Sequence, residues 1–162
     1  MPGDRHFLQI EGIKGESEEA GHKDWMEVDS MEFGVTNRGP GGEGLGIPSF
    51  TDVTMVRRLD RASVKLAFHC AAGTIFSDVE FHATMVIKGK NEIVYVLKLK
   101  SAAIKSYNIL MPENAAASER IQLGFKDIEA SYTVRDPRTG DPKGKSTAGY
   151  HIARNDARGV GT

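Results

Sequence analysis

The sequence predicts a mainly β fold with one short α-helix, and three observations lead to this prediction. Apolar and polar residues alternate with a period of two along most of the 162 residues, which is the pattern of strands with one buried face. One segment, about Arg61–Ala72, has its apolar residues at helical spacing instead. A long loop, about Arg38–Ile47, contains five glycines and separates two of the alternating segments.

The predicted strands follow one another along the chain. The N-terminal part contributes three of them, namely Phe7–Ile13, Met26–Thr36 and Ser49–Arg58. Two more alternating segments, Val79–Lys88 and Ile93–Leu99, flank a turn at residues 89–91. No strong breaker follows the second segment before Pro112, which allows a long strand that bends near residues 101–103.

The C-terminal part predicts two further strands and a surface loop. Between Glu119 and Val134 the apolar positions are first odd-numbered and then even-numbered, and a bulge near Lys126–Asp127 would keep both sets facing inward. The segment Gly140–Ser146 has three residues between its first two glycines where a phosphate-binding loop has four, so it is predicted to be a surface hairpin loop. A last strand is predicted over Tyr150–Arg154.

The helical segment begins after Asp60, a residue type that favours the helix N-cap, and Gly73 is well placed to end the helix. Its apolar stripe consists of Val64, Ala67, Phe68 and Ala71, at positions i, i+3, i+4 and i+7. We expect this stripe to pack against an open edge or end of a β-sandwich.

Size and composition argue against several classes of protein. A chain of 162 residues and 17.7 kDa predicts a single domain over residues 1–162. The net charge of −1 argues against nucleic-acid binding, and no apolar run approaches the ~18 residues needed for insertion across a membrane. Met1–Ile10 lacks a cationic segment followed by an apolar one, so no secretory signal is expected. The single cysteine, Cys70, precludes an internal disulfide and suits a reducing cytoplasm.

The sequence predicts no catalytic residue, no metal site and no cofactor. The five histidines show no ligand spacing apart from the adjacent His69 and Cys70, which point about 100° apart on a helix and cannot easily share one ion. Cys70 is expected to be a small buried helix residue rather than a nucleophile. Glu27 and Asp29 would share one side of a strand, but acids this dense are usually solvated. We therefore predict that the protein is not an enzyme.

The glycine-rich loop is predicted to be a contact element between subunits. Ordering its glycines costs roughly 1–2 kcal/mol each, whereas full burial of Leu45 or Ile47 returns roughly 1.5–3 kcal/mol each. The loop alone should therefore stay mobile, and docking on a neighbouring subunit would roughly offset the entropy cost. The candidate contact residues are Arg38, Gly39, Pro40, Gly41, Gly42, Glu43, Gly44, Leu45, Gly46 and Ile47.

Charge is distributed unevenly along the chain. Residues 11–32 hold eight acids against two lysines, and the residues from Thr133 onward hold six bases against three acids. These segments are either solvated strand faces and loops or complementary ends that guide head-to-tail contact between subunits.

Several segments, taken in order, resemble a known family. They are Ile10–Ser17 with His22, Glu27–Val28, Ser30 and Phe33–Gly34; Leu59–Leu66 with His69–Gly73; Tyr95–Leu99; and Ile121–Phe125 with Ile128, Tyr132 and Tyr150. Together they resemble the haemolysin-coregulated protein (Hcp) family of type VI secretion over nearly the whole chain. Val64 stands where many members have proline, and Tyr150–His151 stands where tryptophan with an acidic residue is common. These departures leave open which effectors or partner rings this version prefers.

The resemblance implies a two-sheet antiparallel β-barrel or sandwich with one helix, closed into a homohexameric ring. Rings would stack head-to-tail into the inner tube of a contractile injection machine. A spike protein would sit at the tip, a contractile sheath would surround the tube, and protein effectors would occupy the lumen. Family members assemble in the bacterial cytoplasm and are released without a signal peptide. The glycine-rich loop would then bridge adjacent subunits or stacked rings.

One side of the strand predicted over residues 26–35 is suited to line such a lumen. Its apolar side consists of Met31, Phe33 and Val35. Its small, polar side consists of Ser30, Glu32 and Gly34. We predict that the polar side faces a water-filled channel, with an ordinary outer surface as the alternative.

Three other classes of protein remain as alternatives. A phage-type tail tube subunit shares the same physics of assembly. A monomeric small-ligand-binding β-barrel needs an apolar interior pocket and should stay monomeric in solution. An enzyme built on a β-sandwich would need a nucleophile with its base, or a metal set, and the sequence suggests neither.

Overall fold

The structure, a computed structural model, describes residues 4–37, 46–152 and 156–159. The elements are β1 (His6–Ile10), β2 (Met26–Val28), β3 (Ser30–Glu32), β4 (Val35–Asn37), β5 (Pro48–Phe50), β6 (Val53–Arg58), α1 (Ser63–Ala72), β7 (Phe76–Ile87), β8 (Lys90–Leu110), β9 (Ser118–Gly124), β10 (Asp127–Arg135), β11 (Pro142–His151) and β12 (Asp156–Arg158). The prediction of a mainly β, antiparallel fold with one short helix is confirmed.

Two antiparallel sheets share one long strand. Sheet A has the order β12–β11–β10–β8–β7–β1–β2, and sheet B has the order β3–β6–β9–β8. Strand β8 is 21 residues long, and it pairs with β7 up to Ala102 and with β9 over residues 103–110. Ser101, with a φ of +50°, lies where the strand passes from sheet A to sheet B. The predicted long strand with a bend near residues 101–103 is therefore confirmed.

The core is apolar and takes side chains from both sheets and from the helix. Leu8, Val79, Phe81 and Leu97 contribute from sheet A, Met55, Ile121 and Leu123 contribute from sheet B, and Leu66 contributes from α1. The sheets therefore form a sandwich, and within the described residues no strand pairing closes them into a barrel.

The segment Met26–Thr36 is not the single strand that its pattern predicts. It forms β2 in sheet A, β3 in sheet B and β4 in a separate two-stranded hairpin with β5. The chain leaves sheet A at Asp29, whose N–H donates to the carbonyl oxygen of Val56 over 2.8 Å. Alternation persists across such a change because each short strand still has one buried side.

The region from Glu119 to Val134 also changes sheet, so the predicted bulge near Lys126–Asp127 is wrong. Strand β9 belongs to sheet B and β10 to sheet A. The expected inward positions Ile121 and Ile128 are buried, but Val134 is 50% exposed because β10 extends beyond the core.

The C-terminal strands differ from the prediction as well. Only the first part of Gly140–Ser146 is a turn, because β11 already begins at Pro142 and pairs with β10. The strand predicted over Tyr150–Arg154 is instead the end of β11, and β12 follows after residues 153–155, which lie outside the described residues.

The helix begins and ends close to the predicted residues, but its buried face was assigned wrongly. The predicted N-cap at Asp60 is wrong, because the N-cap is Ala62, which makes no side-chain cap hydrogen bond. Asp60 Oδ1 instead accepts the N–H of Ala62 over 2.8 Å in the turn before α1, and Gly73 ends the helix with a φ of +67° as predicted. Leu66 is buried, whereas Val64 and Phe68 of the predicted stripe are 67% and 69% exposed. Helical spacing identifies an apolar face without saying what that face packs against.

In the part of the chain that the structure covers, no helix has the length and apolar character needed to cross a membrane.

Candidate functional site

The outward face of sheet B is mostly polar, with Val56 and the exposed Leu110 as its apolar members. Ser30 lies opposite Val56 on β6, and Glu32 lies opposite Thr54. Thr54 and Val56 in turn lie opposite Gln122 and Arg120 of β9. Directly opposed residues share a face, and the alternate residues of β6 and β9 are buried in the core. The face therefore carries hydroxyl, amide and charged groups, and it also includes Ser106, Asn108 and Ser118.

Ser30 and Glu32 thus lie on one polar face, and Gly34 lies beside it. Gly34 follows β3, where its N–H donates to Thr51 Oγ1 over 2.7 Å and its carbonyl accepts the N–H of Thr51 over 2.9 Å. Glu32 and Gly34 line one cleft of about 460 Å³, together with Asp52, Arg120 and Gln122 among others. The three residues singled out in the sequence therefore adjoin one polar surface.

A buried network of ion pairs lies on the core-facing side of sheet B, opposite the polar face. Arg57 is 1% exposed, and its guanidinium binds the carboxylate of Glu119, the carboxylate of Asp60 and the carbonyl of Glu27. The hydroxyl of Tyr107 donates to Glu119 over 2.6 Å. Burial, together with this hydrogen bond to Glu119, raises the pKa of Tyr107 above its usual range. The network ties β6, β8, β9 and the approach to α1 into one unit.

The hairpin of β4 and β5 carries the glycine-rich loop. Residues 38–45 of the predicted contact loop lie outside the described residues. Asn37 and Gly46 flank them and form the base of the loop. The Asn37 side-chain amide donates to the Gly46 carbonyl over 2.7 Å and accepts the Gly46 N–H over 3.0 Å. Next to this closure Ile47 is 80% exposed.

An apolar groove of about 510 Å³ separates the hairpin from sheet A. Its lining includes Phe33, Val35, Phe50, Ile128, Ala130 and Tyr150. Phe50 stacks at an angle against Phe125 and Tyr150, with ring centroids 5.9 Å and 5.4 Å apart. The groove adjoins the core because these rings also pack on it.

The exposed face of α1 is a second apolar surface. Val64 and Phe68, together with Ile75 just after the helix, are all more than 60% exposed. Cys70, on the inner side, packs partly against the core. Within the described residues of the chain, nothing covers the apolar face of the helix.

The two charged segments do not occupy opposite ends of sheet A. In the first segment Glu27 pairs with Phe7 in the middle of β1 and binds Arg5, and in the second Arg158 binds Asp127, which pairs with Lys100 near the Val79 end. Residues 11–25 leave β1 at Ile10, which pairs with Val79. The turn after β10 lies at the other end, where Arg135 Nη1 binds Glu92 over 2.9 Å, and Glu92 pairs with Met85. Val79 and Met85 are six residues apart along β7, which is about 20 Å in a strand.

Two groups of buried residues were missed by sequence analysis. His22 and His82 are 60 residues apart in sequence and hydrogen-bonded in the fold, and no spacing rule brings them together. Arg57 could have been noticed, because it occupies an apolar-side position of β6 after Val53 and Met55. Among the residues that the structure describes, no group of three or more His, Cys, Asp or Glu side chains could hold a metal ion.

A family model described as "Type VI secretion system effector, Hcp" matches residues 7–132 of this sequence. The chain belongs to the Hcp family. It is therefore a type VI secretion tube protein, and membership of the Hcp family implies secretion by that system and self-assembly into its tubes. A sequence comparison of the Hcp chain with curated proteins finds no significant match.

Solved structures agree with the Hcp assignment over nearly the whole chain. A structure described as a type six secretion system protein has a TM-score of 0.86 at 24% identity and covers 95% of this chain and 99% of its own. Hcp1 from Salmonella typhimurium has a TM-score of 0.79 at 25% identity, with coverages of 95% and 98%. A type VI secretion system effector from Yersinia pestis has a TM-score of 0.74 at 22% identity, with coverages of 91% and 99%.

Proposed function

We propose that this Hcp chain acts as one domain over residues 1–162 and closes into homohexameric rings, which stack head-to-tail as the inner tube of the type VI machine. It is a structural protein and not an enzyme. The sheath surrounds and expels the tube, a spike protein caps it, and protein effectors travel in the lumen. Assembly takes place in the bacterial cytoplasm, and export requires no signal peptide.

The single observation that carries the proposal is the character of sheet B. Its outward face is mostly polar. Its two edge strands are β3 and residues 103–110 of β8, and each has a strand partner on one side only within the described residues. Unpaired edges present N–H and C=O groups to a further strand. If β3 of one subunit lies beside β8 of the next, six sheets form a continuous wall with its polar face toward the channel.

The exposed apolar face of α1 supports the same ring. Val64, Phe68 and Ile75 form a surface that water disfavours, and the groove beside the hairpin is a second apolar surface on the same chain. Two different, complementary surfaces make a heterologous contact, which closes into a ring when the rotation between subunits is right. We assign the face of α1 to this contact.

Ser30 and Glu32 are assigned to the lumen, and Gly34 to its margin. A purified ring should show this directly when Glu32→Cys, made in a Cys70→Ala background, is labelled with maleimide-linked gold and imaged by negative stain. Light scattering should give the mass of six chains. Negative-stain images of these rings should then show gold in the central hole. The Cys70→Ala protein treated with the same reagent is the control and should show empty holes.

A single-chain mass at high protein concentration would contradict the ring, and gold on the outer rim would contradict the lumen assignment. The two outcomes are distinguishable because mass is measured before labelling. A monomer that binds an apolar dye in the groove would favour the small-ligand carrier instead.

Stacking is assigned to the contact loop Arg38–Ile47. The side-chain amide of Asn37 bonds both the carbonyl and the N–H of Gly46 and so closes the base of the loop.

Deleting Gly41–Leu45 is expected to leave rings intact and to shorten or abolish tubes. The remaining residues can still close the hairpin through Asn37 and Gly46. Electron micrographs of rings and tubes at matched concentration measure the effect, and replacement of the five residues by a serine–glycine linker of equal length separates loop length from loop sequence. Tubes of unchanged length after the deletion would show that the loop takes no part in stacking.

A further inference from the structure

Four side chains form a continuous hydrogen-bonded chain on the outer side of sheet A. Glu19 binds His22 Nδ1, His22 Nε2 lies 2.8 Å from His82 Nδ1, and His82 Nε2 binds Glu80. His22 is 1% exposed and His82 is 9% exposed. The central contact between the two imidazoles is therefore shielded from water, whereas Glu80 at the outer end remains partly exposed.

This chain fastens residues 11–25 onto the sheet. These residues fold back over β1 and β7, where the His22 ring stacks on Phe7 with centroids 4.2 Å apart. Trp25 packs against His22 and His82 with centroid distances of 4.7 Å and 4.6 Å. Phe7 is fully buried but does not belong to the main core cluster. The aromatic rings and the hydrogen-bonded chain thus form a separate small core.

The number of protons on the two rings decides whether this arrangement holds. Two neutral imidazole rings carry two N–H protons in total, and each added proton gives one ring a positive charge. With two or three protons on the pair, His22 donates one to Glu19, and a single proton lies between His22 Nε2 and His82 Nδ1. A third proton lets His82 donate to Glu80. A fourth proton would place two N–H groups face to face at 2.8 Å, with two positive charges in a buried site.

We propose that the Glu19–His22–His82–Glu80 chain is a pH-sensitive latch, which holds residues 11–25 on sheet A at neutral pH and releases them on acidification. Once the two rings separate, their N–H groups no longer face each other at 2.8 Å. All four latch residues belong to one subunit, so the proposal does not rest on ring formation.

The surrounding charges and the pKa of His82 are consistent with this direction. Burial is the main cause that lowers the pKa of His82, although the hydrogen bond and charge of Glu80 oppose it. The unfolded or released chain therefore binds protons more readily than the latched one, and latch stability falls as pH drops below about 6.5. The charged groups that face the chain are Glu19 in the loop, Arg5 before β1, Glu27 on β2, Glu80 on β7 and Lys98 on β8.

Trp25 is the single tryptophan of the chain and reports on the latch directly. We expect its fluorescence in the full-length protein to change in one step between pH 7.5 and pH 5. Hydrogen exchange of residues 11–25, corrected for intrinsic rates, should rise about tenfold per pH unit from about pH 6.5 down to the midpoint of the step, as uptake of one proton requires, and level off below it. His82→Gln should abolish the step, and His151→Gln, remote from Trp25, should retain it.

A wild-type protein without the step, or a His82→Gln variant with the same step, would overturn the latch. Should His82→Gln fail to fold, Glu80→Gln gives a second test. It removes the carboxylate that stabilises the third proton in the latched form, so the midpoint should move to higher pH. An unchanged midpoint in Glu80→Gln would be equally decisive against the proposal.

Discussion

Replacing Arg57 by methionine is expected to lower the free energy of unfolding by about 3–5 kcal/mol, because it leaves a buried carboxylate without its cation. Glu119 is 1% exposed and binds both the Arg57 guanidinium and the Tyr107 hydroxyl. Without the arginine, Glu119 must stay charged in an apolar surrounding or take up a proton. Either change opposes folding at neutral pH.

The loss should be measured by urea denaturation at one fixed protein concentration, since self-assembly would add to the apparent stability. The neighbouring Arg58→Met is the matched control. Arg58 is exposed on the same strand, so this variant should stay within about 0.5 kcal/mol of the wild type. The double variant Arg57→Met/Glu119→Leu should recover part of the loss, because it removes both charges together.

The pH dependence of Arg57→Met provides a further check. In the variant, the buried carboxylate of Glu119 lacks its cation, so its negative charge opposes folding at neutral pH and less so in acid. The stability gap to the wild type should therefore narrow as the pH is lowered toward 5. A variant as stable as Arg58→Met at pH 7 would show that the network is energetically neutral.

Replacing Phe68 by glutamate is expected to abolish ring formation while leaving the fold of the subunit intact. Phe68 is 69% exposed in the isolated chain, so its loss removes little from the core. If the face of α1 is covered in the ring, a buried aromatic side chain is replaced by an unpaired carboxylate, at a cost of several kcal/mol per contact. Each ring contains that contact six times under the proposed assembly.

Light scattering measures the mass of Phe68→Glu, and circular dichroism with urea denaturation measures its fold. Phe68→Leu is the matched control, because it keeps the surface apolar and should still form rings. If Phe68→Glu still forms hexamers, the exposed face of α1 is not part of the ring contact. Loss of rings together with loss of fold would instead assign Phe68 to the stability of the subunit.

The local elements of this protein were predictable because their signals are local. Period-two alternation identified most strands, and Gly73 ended the helix since it adopts a left-handed conformation that other residues disfavour. The absence of a breaker before Pro112 correctly indicated that β8 is long. The order of motifs along the chain also indicated the Hcp family, which the match over residues 7–132 confirms.

The partners of these elements were not predictable from the same signals. Alternation over Met26–Thr36 looks the same whether the strand stays in one sheet or visits three. The stripe that includes Val64 and Phe68 looks the same whether it covers the chain's own core or a neighbouring molecule. In each case the pattern reports that a side is apolar, and only the fold shows what lies against it.

The sequence by itself determined the β class, the single helix, the long strand and the family, because all of these depend on residue type and short-range spacing. The tertiary structure alone decided which strands share a sheet, which helix face is exposed, and that Arg57 meets Glu119 and His22 meets His82 across about 60 residues. Contacts at such separations arise from the packing of whole sheets, and the sequence contains no periodic trace of them.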